Sequence, residues 1–227
     1  MTTRDLEGWT LAFDLDGTLV ETAPDLVGTL NRLLAQQDLP PVPLEAARNL
    51  IGHGAVALLK RGFEAAGAHW DEAASPALLK AFLADYLEHI ADHSTAYPGS
   101  IEALDHLAAR GAVLCVATNK PTDLAVALFD AIGLTDRFAV ICGPQSVSAK
   151  KPHAAHIRET VLLAGGDPVR AIMVGDSITD LDAARATGVP CILTTFGYTD
   201  IPAAELGADA VIAHFDELHA TISRLIA

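Results

Sequence analysis

From Tyr97 onward the chain repeats one pattern: a short apolar run, a turn, a helical segment, and another short apolar run. The runs fall at residues 113–117, 138–142, 171–174, 191–193 and 210–213, and most are separated by stretches with helical periodicity. Strands joined through helices cannot pair as tight hairpins. They form a parallel sheet with crossover connections and helices on both faces, which is why the runs read as continuously apolar. The run at residues 11–13 has the same character and must join that sheet. Between it and Tyr97 the pattern is different. Thr22 and Pro24 read as a helix cap and first turn, and Leu26, Leu30, Leu33 and Leu34 form one apolar stripe. After Pro40, Pro41 and Pro43, residues 46–50, 55–66 and 76–91 read as helical, with no strand in evidence. The expected architecture is α/β: a parallel-sheet core from residues 1–19 and 96–227, interrupted by an all-helical unit over 20–95. Its linkers lie near Val20 and residues 94–98.

The 51% apolar content of the 227 residues is ample for such a core. A formal charge of -14, with no basic run longer than Lys150-Lys151, argues against a nucleic-acid surface or an anionic membrane face. The three cysteines, Cys115, Cys142 and Cys191, sit in apolar runs, as buried free thiols of a reducing compartment do. Arg4, Asp5 and Glu7 precede any apolar run, unlike a signal peptide, and no apolar window is long enough to cross a bilayer. These features predict a cytoplasmic protein with neither nucleic-acid nor membrane partners; they do not distinguish monomer from homodimer.

Open parallel sheets place ligands at the carboxyl ends of their strands, and polar residues gather there. The first strand runs into Asp14, Asp16, Gly17 and Thr18; the second into Thr118 and Asn119; the fourth into Gly175, Asp176 and Ser177, with Asp180 one helical turn beyond. Lys151 follows the third strand after a loop. If extended backbone persisted through Asp14 and Asp16, their carboxyl groups would flank one pocket. Such proximity suits a divalent cation, or a division of labour in which one carboxylate stays charged and the other carries a proton. Moving a phosphoryl group uses all of these groups. Asp14 is the candidate nucleophile and Asp16 the general acid and base. Mg²⁺ would take Asp14, the Asp16 main-chain carbonyl and Asp176, while Lys151 and the Thr118 hydroxyl hold phosphoryl oxygens. Asp180, with Ser177 beside it, would act behind these, fixing a metal-bound water or orienting Lys151. Gly17, Thr18 and Asn119 complete the expected phosphate-binding set.

In this order the segments resemble the four motifs of the haloacid dehalogenase-like hydrolase superfamily. The resemblance implies a Rossmann-like parallel-sheet core under an inserted all-helical cap domain that selects the substrate. It also implies the roles just given, and an acid at Asp16 implies a phosphatase rather than a dehalogenase. Residues 20–25, 51–55, 117–120 and 195–198 further resemble the phosphoglycolate phosphatase family, which implies a Mg²⁺-dependent enzyme acting on a small phosphate ester, 2-phosphoglycolate. A pyrophosphatase, a sugar-phosphate phosphatase or mutase, and a phospho-accepting binding module are the alternatives. Two positions depart from the family: Ala154, where a second proline often follows the lysine, and Glu21, where many relatives have aspartate. In the cap, Gly52, His53 and Gly54 open a helix whose N–H groups could face a substrate anion. Lys60 and Arg61 could add charge there, although such residues more often lie on a solvated helix face.

Overall fold

The computed structural model describes residues 4–51 and 54–227. Six strands form one parallel sheet: β1 (Thr10–Phe13), β4 (Val113–Ala117), β5 (Val140–Cys142), β6 (Ala171–Gly175), β7 (Cys191–Thr194) and β8 (Ala210–Ile212). Their order is β5-β4-β1-β6-β7-β8. The chain therefore builds outward from β1, first to one side and then to the other. The reversal opens a crevice between β1 and β6 at their carboxyl ends. Thr10 is paired with Val113 on one side and Ala171 on the other, so β1 is the central strand, and all four of its residues are buried.

Strand alternation sorts the apolar residues onto the two faces. Leu11, Phe13, Val116, Ile172, Val174 and Ile192 pack with Leu104 and Leu107 of α5 (Ser100–Ala109), Leu128 and Phe129 of α6 (Thr122–Ala131), and Ile222 of α9 (Leu218–Leu225). Ala12, Cys115, Met173, Cys191 and Leu193 face Ile157 and Val161 of α7 (Ala154–Leu163) and Leu181 of α8 (Ile178–Thr187). The three cysteines are buried and free. The expected strand at 138–142 begins only at Val140, because a 3₁₀ turn (Thr135–Arg137) leads into it and Phe138 packs on Phe129, ring centroids 5.0 Å apart.

The helical insertion comprises α1 (Ala23–Ala35), α2 (Leu44–Ile51), α3 (Ala55–Ala65) and α4 (Ser75–Glu88). Its two linkers pair as a short antiparallel ribbon, β2 (Val20–Glu21) against β3 (Thr95–Ala96). The leucine stripe of α1 lies in a separate apolar cluster with Leu58, Leu59, Phe63, Phe82 and Tyr86; from the sheet side only Leu124 and Tyr198 join it among the described residues. A Cβ on Gly62 would lie 2.5 Å from Leu30, so α3 approaches α1 closely at that glycine. Asp25, buried on α1, accepts from the Ser94 N–H (2.8 Å) and hydroxyl (2.6 Å) and from the His93 N–H (3.0 Å), pinning the returning linker.

Thr22 does not cap α1 with its side chain, contrary to the sequence reading. The Tyr198 hydroxyl accepts from the N–H groups of Thr22 (2.8 Å) and Ala23 (2.9 Å) and donates to Glu21 Oε1 (2.5 Å). With those N–H groups satisfied from outside, the Thr22 hydroxyl is released to donate to Asp16 Oδ1 at 2.7 Å. Glu21, the departure from the family pattern, is a working part of this junction. No helix among the described residues is long and apolar enough to cross a membrane.

Candidate active site

The extended backbone does not continue through Asp16. The Asp14 N–H still bonds the Val174 carbonyl (2.9 Å), but the chain then turns around Leu15, whose carbonyl accepts from the N–H groups of Leu19 and Val20, each at 3.0 Å. Gly17 makes this turn at φ +81°, with no room for a Cβ: Asp176 Oδ2 would lie 2.6 Å away and the Tyr198 ring 2.8 Å. The two carboxylates consequently have different surroundings. Asp14 Oδ1 is 2.8 Å from Lys151 Nζ, whereas Asp16 Oδ1 is 2.9 Å from Lys120 Nζ. Each acid has its own ammonium group, and both line the same pocket.

Lys151 is fully enclosed, with Asp180 Oδ1 at 2.6 Å on its other side. Burial pulls its ammonium toward neutrality, but Asp14 and Asp180 together outweigh that and push its pKa up, keeping it charged. Asp180 Oδ2 accepts from the N–H groups of Asp176 (3.2 Å) and Ser177 (3.1 Å) and from the Ser177 hydroxyl (2.8 Å). Both oxygens of Asp180 are therefore committed, and the residue orients Lys151 from the first turn of α8. Asp176 accepts from the Tyr198 N–H (2.6 Å) and the Thr18 hydroxyl (3.3 Å). Cβ atoms on Gly175 and Gly197 would lie 2.4 Å and 2.1 Å from the carboxyl group of Asp180 and the Cβ of Asp176, so both acids depend on those glycines.

Asn119 clamps the lysine loop. Its amide donates to the Lys151 carbonyl (3.0 Å) and accepts from the Lys151 N–H (2.9 Å). Thr118 is buried at the end of β4, its hydroxyl accepting from the Lys120 N–H (3.1 Å), and it lines the pocket with Asn119 and Ser177. Of the cap residues, Gly54 starts α3 and lines the pocket, whereas Gly52 and His53 lie outside the described residues. Lys60 is away from the pocket, in an exposed contact with Glu72 at 3.5 Å. Three contributors were assigned no role in the sequence reading: Lys120, Tyr86 of α4 and Tyr198. Lys120 directly follows Thr118-Asn119, so a cation just past a strand end that carries candidate site residues was a usable signal. Tyr86 reads as one more apolar position of its helix.

Carboxylate oxygens of Asp14, Asp176 and Asp180 lie within 4.8 Å of one another. Burial, with Asp180 adding, pushes the Asp14 pKa up to about 6 against the opposing pull of Lys151. Burial, then Asp180 and Asp14, raise Asp176 well above the carboxylate range. Three acids around one ammonium leave an excess of negative charge, and Asp14 Oδ1 has no aligned hydrogen-bond donor despite its contact with Lys151. Such a set of hard oxygen donors fits a divalent cation.

Acids and lysines gather at the switch point of this sheet, where open α/β sheets bind their ligands. The chain belongs to the haloacid dehalogenase-like hydrolase family, which matches over residues 11–194. It is 51% identical over 214 residues, 94% of this chain and 90% of the other, to a protein of Caulobacter vibrioides named phosphoglycolate phosphatase. A crystal structure from Haemophilus somnus, described as a predicted phosphoglycolate phosphatase, superposes with a TM-score of 0.86 at 31% identity, covering 96% of this chain and 98% of the other. The structure of CbbY from Rhodobacter sphaeroides in complex with phosphate matches with a TM-score of 0.76 at 25% identity over 94% of this chain and 98% of that one.

Proposed function

We propose that this phosphoric monoester hydrolase converts 2-phosphoglycolate to glycolate and phosphate through a phosphorylated Asp14, with residues 20–95 acting as the substrate-selecting cap. The observation that carries the reading is the separate pairing of Asp14 with Lys151 and Asp16 with Lys120. A carboxylate at Asp14 attacks phosphorus, and the ester P–O bond breaks as Asp16 gives its proton to the leaving alkoxide. Asp16 then takes a proton from water, whose oxygen attacks the phosphorus of the acyl phosphate and frees Asp14. Lys151 and the Thr118 hydroxyl hold phosphoryl oxygens throughout, and Asp180 and Asn119 keep Lys151 in place. Asp14, Asp176 and the Asp16 main-chain carbonyl would hold Mg²⁺, which supplies charge neutralisation for the phosphoryl oxygens. The relatives named phosphoglycolate phosphatase support the choice of substrate.

The test is phosphate release from 2-phosphoglycolate, pyrophosphate, p-nitrophenyl phosphate and several sugar phosphates, each with Mg²⁺ and with EDTA. Metal-dependent preference for 2-phosphoglycolate is expected. Preference for pyrophosphate or a sugar phosphate would replace the substrate while keeping the chemistry, and full activity in EDTA would remove the metal.

A further inference from the structure

Lys120 lies where cap, core and pocket meet. Its Nζ is 2.9 Å from Asp16 Oδ1 and 2.9 Å from the hydroxyl of Tyr86, and it sits 4.4 Å from the centre of the Tyr86 ring. An ammonium group has three N–H donors, and these two contacts use two of them. Having accepted from Lys120, the Tyr86 hydroxyl still has its own hydrogen to donate. Both residues line the pocket, and Lys120 is its single cationic lining residue among those described. The cap-side wall is otherwise apolar, with Leu26, Leu58, Phe82 and Leu83, and Leu124 of the core adds to it from the sheet side. Lys120 is only 7% exposed, its ammonium group held between the Asp16 carboxylate and the Tyr86 hydroxyl.

We propose that Lys120, with the Tyr86 hydroxyl beside it, is the specificity determinant that receives a second anionic group of the substrate: a carboxylate on the carbon next to the ester oxygen. This rests on the phosphatase reading above, in which Asp16 protonates the leaving oxygen. Lys120 is bonded to that same carboxylate, so its free N–H is close to the leaving oxygen and serves a carboxylate whose carbon is two bonds from it. O-phospho-2-hydroxy acids have that arrangement. An ester lacking the carboxylate leaves this N–H and the Tyr86 O–H without a partner in an apolar enclosure. Because Tyr86 belongs to the cap and Lys120 to the core, the substrate carboxylate would also join the two units.

The experiment measures kcat and KM for 2-phosphoglycolate, 2-phospholactate and ethyl phosphate with the wild type, Lys120→Met and Tyr86→Phe, each variant checked by circular dichroism and thermal unfolding. Wild type should prefer the carboxylate-bearing esters. In Lys120→Met the ratio of kcat/KM for 2-phosphoglycolate to that for ethyl phosphate should fall roughly 10- to 100-fold, the worth of a charge-assisted hydrogen bond, with KM for 2-phosphoglycolate carrying the change. Tyr86→Phe keeps the Lys120–Asp16 pair and should lower the ratio by about 5-fold. An equal loss on all three esters in Lys120→Met, with an unchanged ratio in Tyr86→Phe, would overturn the inference, since Lys120 would then act only through Asp16. Should 2-phospholactate be preferred, and that preference collapse in Lys120→Met, the named substrate falls while the carboxylate site stands. Indifference of the wild type to the carboxylate removes both.

Discussion

Two aspartates separated by a single residue meet different partners, Asp14 facing Lys151 and Asp16 facing Lys120, and that difference would let one pocket hold both the proposed nucleophile and the proposed proton carrier. Asp14→Asn is expected to lower kcat on the order of 10⁴-fold while the fold is retained, read by steady-state kinetics and thermal unfolding. Asp16→Asn should lower kcat by about 10²- to 10⁴-fold and leave the Mg²⁺ concentration for half-maximal activity nearly unchanged, because its side chain is turned to Lys120 and Thr22. Gly197→Ala should do the reverse. A Cβ there would lie 2.1 Å from that of Asp176, so the carboxylate must move, and a Mg²⁺ titration of activity should shift to higher concentration. That Asp14, Asp16, Thr118, Asn119, Lys151, Asp176 and Asp180 come together was legible in the chain because each follows a recognisable apolar run. The role of Lys120 was not, because it depends on a partner 104 positions away.

At the level of elements, the junction between sheet and insertion is held by polar contacts rather than by a continuous apolar seam. Tyr198, in the loop after β7, supplies the cap that the start of α1 lacks, and its own N–H holds Asp176. Tyr198→Phe would leave the Thr22 N–H buried without this acceptor, and the Ala23 N–H with only Glu21 Oε1 at 3.2 Å. A loss of about 1–3 kcal/mol is expected in urea denaturation, with the catalytic metal requirement little altered because the backbone bond to Asp176 is untouched. The helices themselves were legible from the leucine stripe and the prolines. Thr22 was misread as a cap because Thr before Pro24 is a local signal, and the competing acceptor is supplied from the other end of the chain.

For the whole molecule, the site is embedded in the second apolar layer as well as in the crevice. His156 on α7 is enclosed beneath the Lys151 loop with Nδ1 3.1 Å from the Ala149 carbonyl, and burial, followed by the Lys151 charge, lowers its pKa to about 4. The unfolded chain binds that proton near the ordinary value of about 6.5, so the stabilisation is complete above that pH and is lost as pH falls through 6.5 toward 4. The shift corresponds to about 3 kcal/mol. Chemical denaturation across this window should show a steeper acid loss for wild type than for His156→Gln; equal slopes would show that His156 titrates alike in both states. The alternation of strands and helices along the chain and the line of polar residues at the strand ends followed from the sequence by itself, since periodicity and turn chemistry are local properties. Which lysine faces which carboxylate, how Tyr198 ties α1 to Asp176, and how Tyr86 reaches Lys120 were decided only by the tertiary structure. Those contacts join residues far apart in the chain, and their energy exists only once burial has brought the partners out of water and next to one another.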